Sequence, residues 1–308
     1  MSALNLLSME DLPRAEILEL VQAATALKVP TSSLAQGRTA GLFFFEASTR
    51  TRVGFEAAML RLGGSAVAVT ATKSGPTMSA PETWTDTVRS VGRYFDVLCV
   101  RSAEPAAPSL AAALLPDVPV INCGNGHDEH PTQAMIDILA ISEIVGGPPD
   151  GLHVALVGDL LGMRAAHSLL LALARFRDVL VTAISPPGLS CPERYSGPFR
   201  AAGNRYVTSE ALTGLAGVNI VYVAGFPPRT EVGDWSEAAR APYRVTADFA
   251  ATLPASAAIL CPLPRVDEIE PAVDDLPQAR YFLQSELGLP MRMAVLQRSL
   301  VGKDGAFS

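Results

Sequence analysis

The sequence predicts an α/β protein of two domains, each a parallel sheet flanked by helices. Three observations carry that expectation. Short apolar runs rich in Val, Ile and Leu alternate with Ala- and Leu-rich stretches of helical period, the pattern of parallel strands covered by helices. Of 308 residues, 49% are hydrophobic but only 6% are aromatic, so the core is mainly aliphatic, as buried parallel strands require. The run Gly146-Gly147-Pro148-Pro149-Asp150-Gly151 interrupts the pattern near mid-chain, and the length suffices for two ordinary domains.

The first strand is Gly41–Phe45, an apolar run that feeds Ser48-Thr49-Arg50-Thr51-Arg52 and then the helix-like Phe55–Leu62. Ser65–Val69 is a second strand. Lys73-Ser74-Gly75-Pro76-Thr77 cannot be a regular helix and reads as a mobile loop. Val97–Arg101 and Val118–Asn122 complete the first set of strands. After the Gly124-Asn125-Gly126 turn, Pro131–Val145 is a periodic apolar helix with proline at a favoured first-turn position; it reads as the hinge between domains. Beyond the Gly/Pro break, His153–Gly158, Val179–Ile184, Ile220–Val223 and Ala258–Leu260 form the second set, with Pro186-Pro187 and Pro227-Pro228 in loops. A last helix runs from about Leu287 to Leu300, after a break at Gly288 and Pro290.

Composition excludes several classes of function. Net charge is −7 and no basic run stands out, so no nucleic-acid footprint is expected. The apolar stretches are interrupted too soon to span a bilayer. The first residues include Glu10 and Asp11 and lack an apolar core segment, so no secretion signal is read there. Cys99, Cys123, Cys191 and Cys261 have neither metal nor redox spacing. A cytoplasmic protein with free thiols, no metal and no cofactor is expected.

The chemistry starts at Ser48–Arg52. Strand, hydroxyl-rich turn and helix aim unpaired backbone N–H groups, hydroxyls and a guanidinium at one point, which suits a phosphate. Capping needs one hydroxyl; this segment has three, with two arginines. Arg101 ends a strand and so falls on the ligand side of an α/β sheet, although an isolated arginine there is as readily a surface residue. His130 and Gln133 open a helix and can project together; a lone histidine there is also a common cap. Arg164 follows Gly158-Asp159-Leu160 and faces the cleft, unless that turn is only a strand-to-helix connection. In Cys261-Pro262-Leu263-Pro264-Arg265-Val266-Asp267-Glu268-Ile269, two prolines hold the backbone and expose its carbonyls, in a loop that needs no ligand to be rigid.

Taken together, Phe45–Arg52, His130-Pro131-Thr132-Gln133-Ala134, Gly158-Asp159-Leu160 and Pro262–Ile269 resemble the aspartate/ornithine carbamoyltransferases, with the aspartate branch closer. The four motifs are collinear over nearly the whole chain. The resemblance implies a homotrimer with active sites shared between subunits. It implies a carbamoyl-phosphate-binding domain over 1–132 plus 287–308, with the C-terminal helix returning to it, and an acceptor-binding domain over 133–286. Ser48, Thr49, Arg50 and Thr51 would bind the phosphate. Arg101, His130 and Gln133 would hold the carbonyl and amide, and the carbonyls of Cys261 and Leu263 would lie near the carbamoyl nitrogen. Arg50, Thr51, Arg101 and His130 are the catalytic candidates.

The acceptor side departs from the family pattern. Ala80 stands at the position of the family's loop lysine. Gly225-Phe226-Pro227 stands in place of Arg-x-Gln, and Cys261 in place of a histidine. Lys73 and Arg229 are the nearest candidate replacements. Two missing cations would leave a dicarboxylate partly unpaired in a desolvated cleft. The expectation is therefore an amine acceptor other than aspartate, held by Arg164, Leu263, Gly225 and Phe226, with Leu161 and Met163 shaping the pocket. The alternatives are a true aspartate carbamoyltransferase, or a catalytically silent homologue acting as an assembly partner.

Overall fold

The computed structural model describes residues 4–27, 33–70, 83–230 and 232–301. The chain divides into two compact units, Met1–Thr132 with Gly288–Ser308, and Gln133–Leu287.

In the first unit the elements run α1 (Arg14–Ala26), β1 (Thr39–Phe44), α2 (Thr49–Arg61), β2 (Ser65–Thr70), α3 (Trp84–Val91), β3 (Val97–Ser102), α4 (Ala107–Leu114) and β4 (Val120–Asn125). The sheet order is β2-β1-β3-β4 with parallel pairing. The central strands are buried nearly throughout, whereas β2 at the edge alternates between partly and fully exposed positions. Strand β4, at the other edge, stays mostly buried, with Leu6 bridging to Ile121. Helix α5 (Pro131–Val145) starts at its proline, where the missing N–H has no intrahelical partner to lose.

The second unit continues with β5 (His153–Gly158), α6 (Arg164–Leu173), β6 (Leu180–Ile184), α7 (Glu193–Ala201), β7 (Arg205–Ser209), β8 (Ile220–Gly225), the hairpin strands β9 (Arg229–Thr230) and β10 (Gly233–Asp234), α8 (Glu237–Arg240), α9 (Ala247–Thr252), β11 (Ala258–Leu260) and α10 (Tyr281–Glu286). Its main sheet is β11-β8-β5-β6-β7, again parallel. Helix α11 (Gly288–Val301) then returns to the first unit against α1 and α2. The α/β class, the two domains and the returning C-terminal helix are as the sequence predicts.

Three local expectations are corrected. Strand β7 was not anticipated, because Arg205-Tyr206-Val207-Thr208-Ser209 is a polar edge strand with no buried residue. Strand β4 is displaced toward Asn125: Gly124, at φ +115°, lets the chain go on to pair Asn125 with Ser102. Gly288 and Pro290 do not precede the last helix but form its first turn, where proline removes no needed donor. The expected loop at Lys73–Thr77, and Ala80, lie outside the described residues. Among the described residues no helix is long and apolar enough to cross a membrane, and no cluster of His, Cys, Asp and Glu is arranged to hold a metal ion.

Candidate active site

In the first unit Ser48–Thr51, Arg101 and His130 lie at or just beyond the C-terminal ends of β1, β3 and β4. Ser48 holds the N-cap position of α2 with extended backbone (φ −159°), yet its side chain makes no capping hydrogen bond. The capping alternative therefore does not account for it. Thr49 and Arg50 are exposed in the first turn of α2, and Thr51 is buried. The first N–H groups of a helix have no intrahelical acceptor and carry the positive end of its dipole.

Arg101 stands in register with Phe44, so it reaches the same sheet end as the α2 segment. It is not a surface residue: it is 8% exposed. Its Nη2 donates to Glu46 Oε1 at 2.8 Å and its Nη1 to the Cys123 carbonyl at 3.1 Å. Glu46, passed over in the sequence, fixes the guanidinium. His130 follows β4, is also 8% exposed, and has Nδ1 3.2 Å from the Thr132 hydroxyl. The turn before it is braced by Asn122, which donates to the Leu7 carbonyl and accepts from Gly124 N–H.

A further cation lies under α2. Arg292 of α11 is buried, and its guanidinium fills the space a side chain at Gly54 would need: a Cβ there would lie 2.6 Å from Nη1. Burial, with the nearby Arg50 adding to it, lowers its pKa to about 10, so it stays charged at neutral pH. Nothing in its local sequence marks it; only the fold carries it under α2. The first unit thus concentrates positive potential in a chain of net charge −7.

In the second unit, Gln133 Nε2 donates to Asp137 Oδ1 at 2.8 Å. Asp137 is fully buried and also accepts from Tyr222 Oη at 2.8 Å and Gln284 Nε2 at 2.6 Å. Gln284 Oε1 in turn accepts the Cys261 N–H at 2.8 Å. The Cys261 thiol is pushed up to about 12 by burial, so it stays protonated at neutral pH. Leu263 has φ +54°, a left-handed conformation that costs a non-glycine residue about 1–3 kcal/mol and is found preferentially at ligand clamps. The charges that follow are used internally: Arg265 pairs with Asp274 and Asp267 with Arg240, while Glu268 accepts the Phe226 N–H at 3.0 Å.

Arg164 is the first residue of α6. Asp159 does not cap α6; its Oδ1 accepts from Leu161 and Gly162 N–H at 3.1 and 3.0 Å and shapes the turn before it. Gly225 has φ +111° and lies under Met163, so this backbone suits glycine and does not readily project an arginine. The Phe226 ring is 2% exposed and packs edge-on against Trp235 and Tyr243. It belongs to the core of the second unit, and with Arg240, Tyr243 and Glu268 it also lines a small cavity. Arg229 is exposed, 3.8 Å from Asp234.

Residues 4–143 match the aspartate/ornithine carbamoyltransferase carbamoyl-P binding domain, and residues 150–298 the Asp/Orn binding domain of the same family. The aspartate carbamoyltransferase catalytic subunit of Methanocaldococcus jannaschii is 35% identical, over 98% of this chain and 99% of that one. The chloroplastic aspartate carbamoyltransferase of Arabidopsis thaliana is 38% identical, over 88% and 70%. The structure of Trypanosoma cruzi aspartate transcarbamoylase in complex with carbamoyl phosphate and aspartate superposes with a TM-score of 0.87, at 34% identity over 96% of this chain and 95% of that chain. These relatives, named for aspartate and aligned across nearly the full length, overturn the expectation of an acceptor other than aspartate. That expectation rested on two absent cations read position by position, although a pocket's charge is the sum over every group that reaches it.

Proposed function

We propose that this chain, which belongs to the aspartate/ornithine carbamoyltransferase family, moves the carbamoyl group of carbamoyl phosphate to the amine of L-aspartate and releases phosphate. The observation that carries this reading is the segment Ser48–Thr51, uncommitted to capping, at the N-terminus of α2 beside Arg101, in a chain similar over its length to aspartate carbamoyltransferases.

The residues suit the chemistry. Ser48, Thr49, Arg50 and Thr51 bind the phosphate group. Arg101, His130 and Thr51 donate to the carbonyl oxygen as the amine nitrogen attacks the carbamoyl carbon. One preorganised donor of this kind is worth about 3–4 kcal/mol. The bond from that carbon to the phosphate oxygen breaks, and the amine proton leaves with phosphate. Gln133 and the carbonyls of Cys261 and Leu263 accept from the carbamoyl NH2. No step requires a covalent enzyme intermediate. On the acceptor side, Arg164 pairs with a carboxylate of aspartate. Residues 1–132 with the C-terminal helix serve as the donor domain, and the rest as the acceptor domain. The chain works as a homotrimer, with a native mass near three times its 32.4 kDa.

The test is phosphate release from carbamoyl phosphate by purified protein with L-aspartate, the product identified by mass. Carbamoyl aspartate is expected. Replacement of Arg50 by alanine should lower kcat by about 10²–10³-fold. Absence of turnover with aspartate from folded protein would overturn the proposal.

A further inference from the structure

We propose that Asp137 is a positioning residue that sets the orientation of the groups accepting from the carbamoyl NH2: it turns the Gln133 carboxamide so that its carbonyl oxygen is the part left for substrate, and through Gln284 it anchors the backbone at Cys261. The inference rests on the reading of the chain as a carbamoyltransferase.

An ionised carboxylate only accepts hydrogen bonds, whereas a carboxamide has one donating and one accepting end. Asp137 takes the donating end of both glutamines on the same oxygen, at 2.8 Å from Gln133 and 2.6 Å from Gln284. Each glutamine must then present its oxygen the other way. Gln284 gives that oxygen to the Cys261 N–H at 2.8 Å, fixing the chain just where its carbonyls begin to matter. Gln133 Oε1 accepts from no described residue, and Gln133 is only partly buried. A carbamoyl NH2 offers two donors and needs acceptors. A glutamine turned the other way would meet it donor to donor.

A cluster that merely filled the core would not need a charge. The groups facing Asp137 are Gln133 from α5, Tyr222 from β8, Gln284 from α10 and, near the end of β11, the protonated Cys261 thiol. None of these is a cation. Burial raises the carboxyl to about 7. When it gains a proton, the most economical place is Oδ2, donating to Tyr222. The bonds at Oδ1 survive but lose their charge assistance, and the hold on both glutamines loosens as pH falls through about 7.

Titration calorimetry on the full-length protein, with freshly dissolved carbamoyl phosphate and separately with inorganic phosphate, tests this at pH 8 and pH 6. Wild type is expected to prefer carbamoyl phosphate, with the preference shrinking at pH 6. Asp137→Asn keeps one oxygen for the two amides but turns an NH2 toward Tyr222 and removes the charge at every pH. It should weaken carbamoyl phosphate binding tenfold or more, change phosphate binding less than twofold, and abolish the pH step in the preference. Tyr222→Phe keeps the core volume and removes a bond that favours the ionised carboxylate, so it should move the pH step upward even if the Asn variant does not fold. Wild-type preference for carbamoyl phosphate that persists in folded Asp137→Asn, or a pH step unmoved in Tyr222→Phe, overturns the role of Asp137. A wild type with no preference for carbamoyl phosphate over phosphate overturns the underlying functional reading, and this inference with it.

Discussion

A single buried carboxyl shows how a functional requirement is set against stability. Desolvation raises the pKa of Asp137 to about 7, more than its three hydrogen bonds lower it. A carboxyl whose folded value exceeds its unfolded value favours the fold most at pH below the unfolded value, and that contribution is lost as pH rises through the folded value. Between about pH 4 and 7 the loss amounts to roughly 4 kcal/mol at 1.36 kcal/mol per unit. Asparagine has no such dependence. In urea titrations, Asp137→Asn should therefore gain stability relative to wild type from pH 5 to pH 8, by a few kcal/mol. Parallel pH curves for the two proteins would refute it. Of this cluster, Gln133 and Cys261 were legible in the sequence as site candidates, whereas Asp137, Tyr222 and Gln284 were not. Ser48–Thr51 could be read because its parts are consecutive, but Asp137 meets Tyr222 and Gln284 across 85 and 147 positions of chain. The one local signal was an acid four residues after Gln133 in a mostly apolar helix, the spacing that puts both on one face.

At the level of elements, legibility tracked burial. Strands packed on both faces, such as β3 and β8, whose every residue is buried, have continuous apolar runs that are read easily; β2, with no buried residue, is read from its Ala-Val-Ala-Val run alone. Strand β7, exposed at the sheet edge, has no such run to read. Close approaches between elements were also invisible, since they depend on what is absent. Gly158 ends β5 at φ +126°, and a Cβ there would lie 2.3 Å from the Gly225 carbonyl oxygen at the end of β8. The neighbour is backbone, paired to Asp159 N–H at 2.8 Å, and cannot swing aside like a side chain. Gly158→Ala thus combines a disfavoured φ with a steric overlap, and should cost roughly 3–5 kcal/mol. Equilibrium unfolding in urea checks it, and a change under 1 kcal/mol would mean that the two strand ends separate easily.

The chain as a whole places its first and last segments in one unit, and this has a consequence for the start of α2. Helix α11 lies against α1 and α2 and buries Met291, Met293, Ala294, Val295 and Leu296. Arg298 ties it to Glu16 at 2.6 Å and to the Asn5 carbonyl at 3.1 Å. Arg292 on the same helix supplies the buried charge under α2. Burying a large apolar side chain contributes about 1.5–3 kcal/mol, so the four larger ones together rival the whole stability of an ordinary domain, about 5–15 kcal/mol. A chain ending at Leu287 would leave the apolar faces of α1 (Ile17, Leu20, Ala24) and α2 (Phe55, Ala58, Met59) without this cover. The second unit, with its own sheet and its core around Val157, Val221 and Ile259, loses nothing of its own. Hydrogen exchange on that truncated chain should therefore show protection lost across β1 to β4 and kept in β5, β6 and β8. Protection retained in β1 to β4 would mean that the first unit folds without its last helix, and that the start of α2 does not depend on the chain's return.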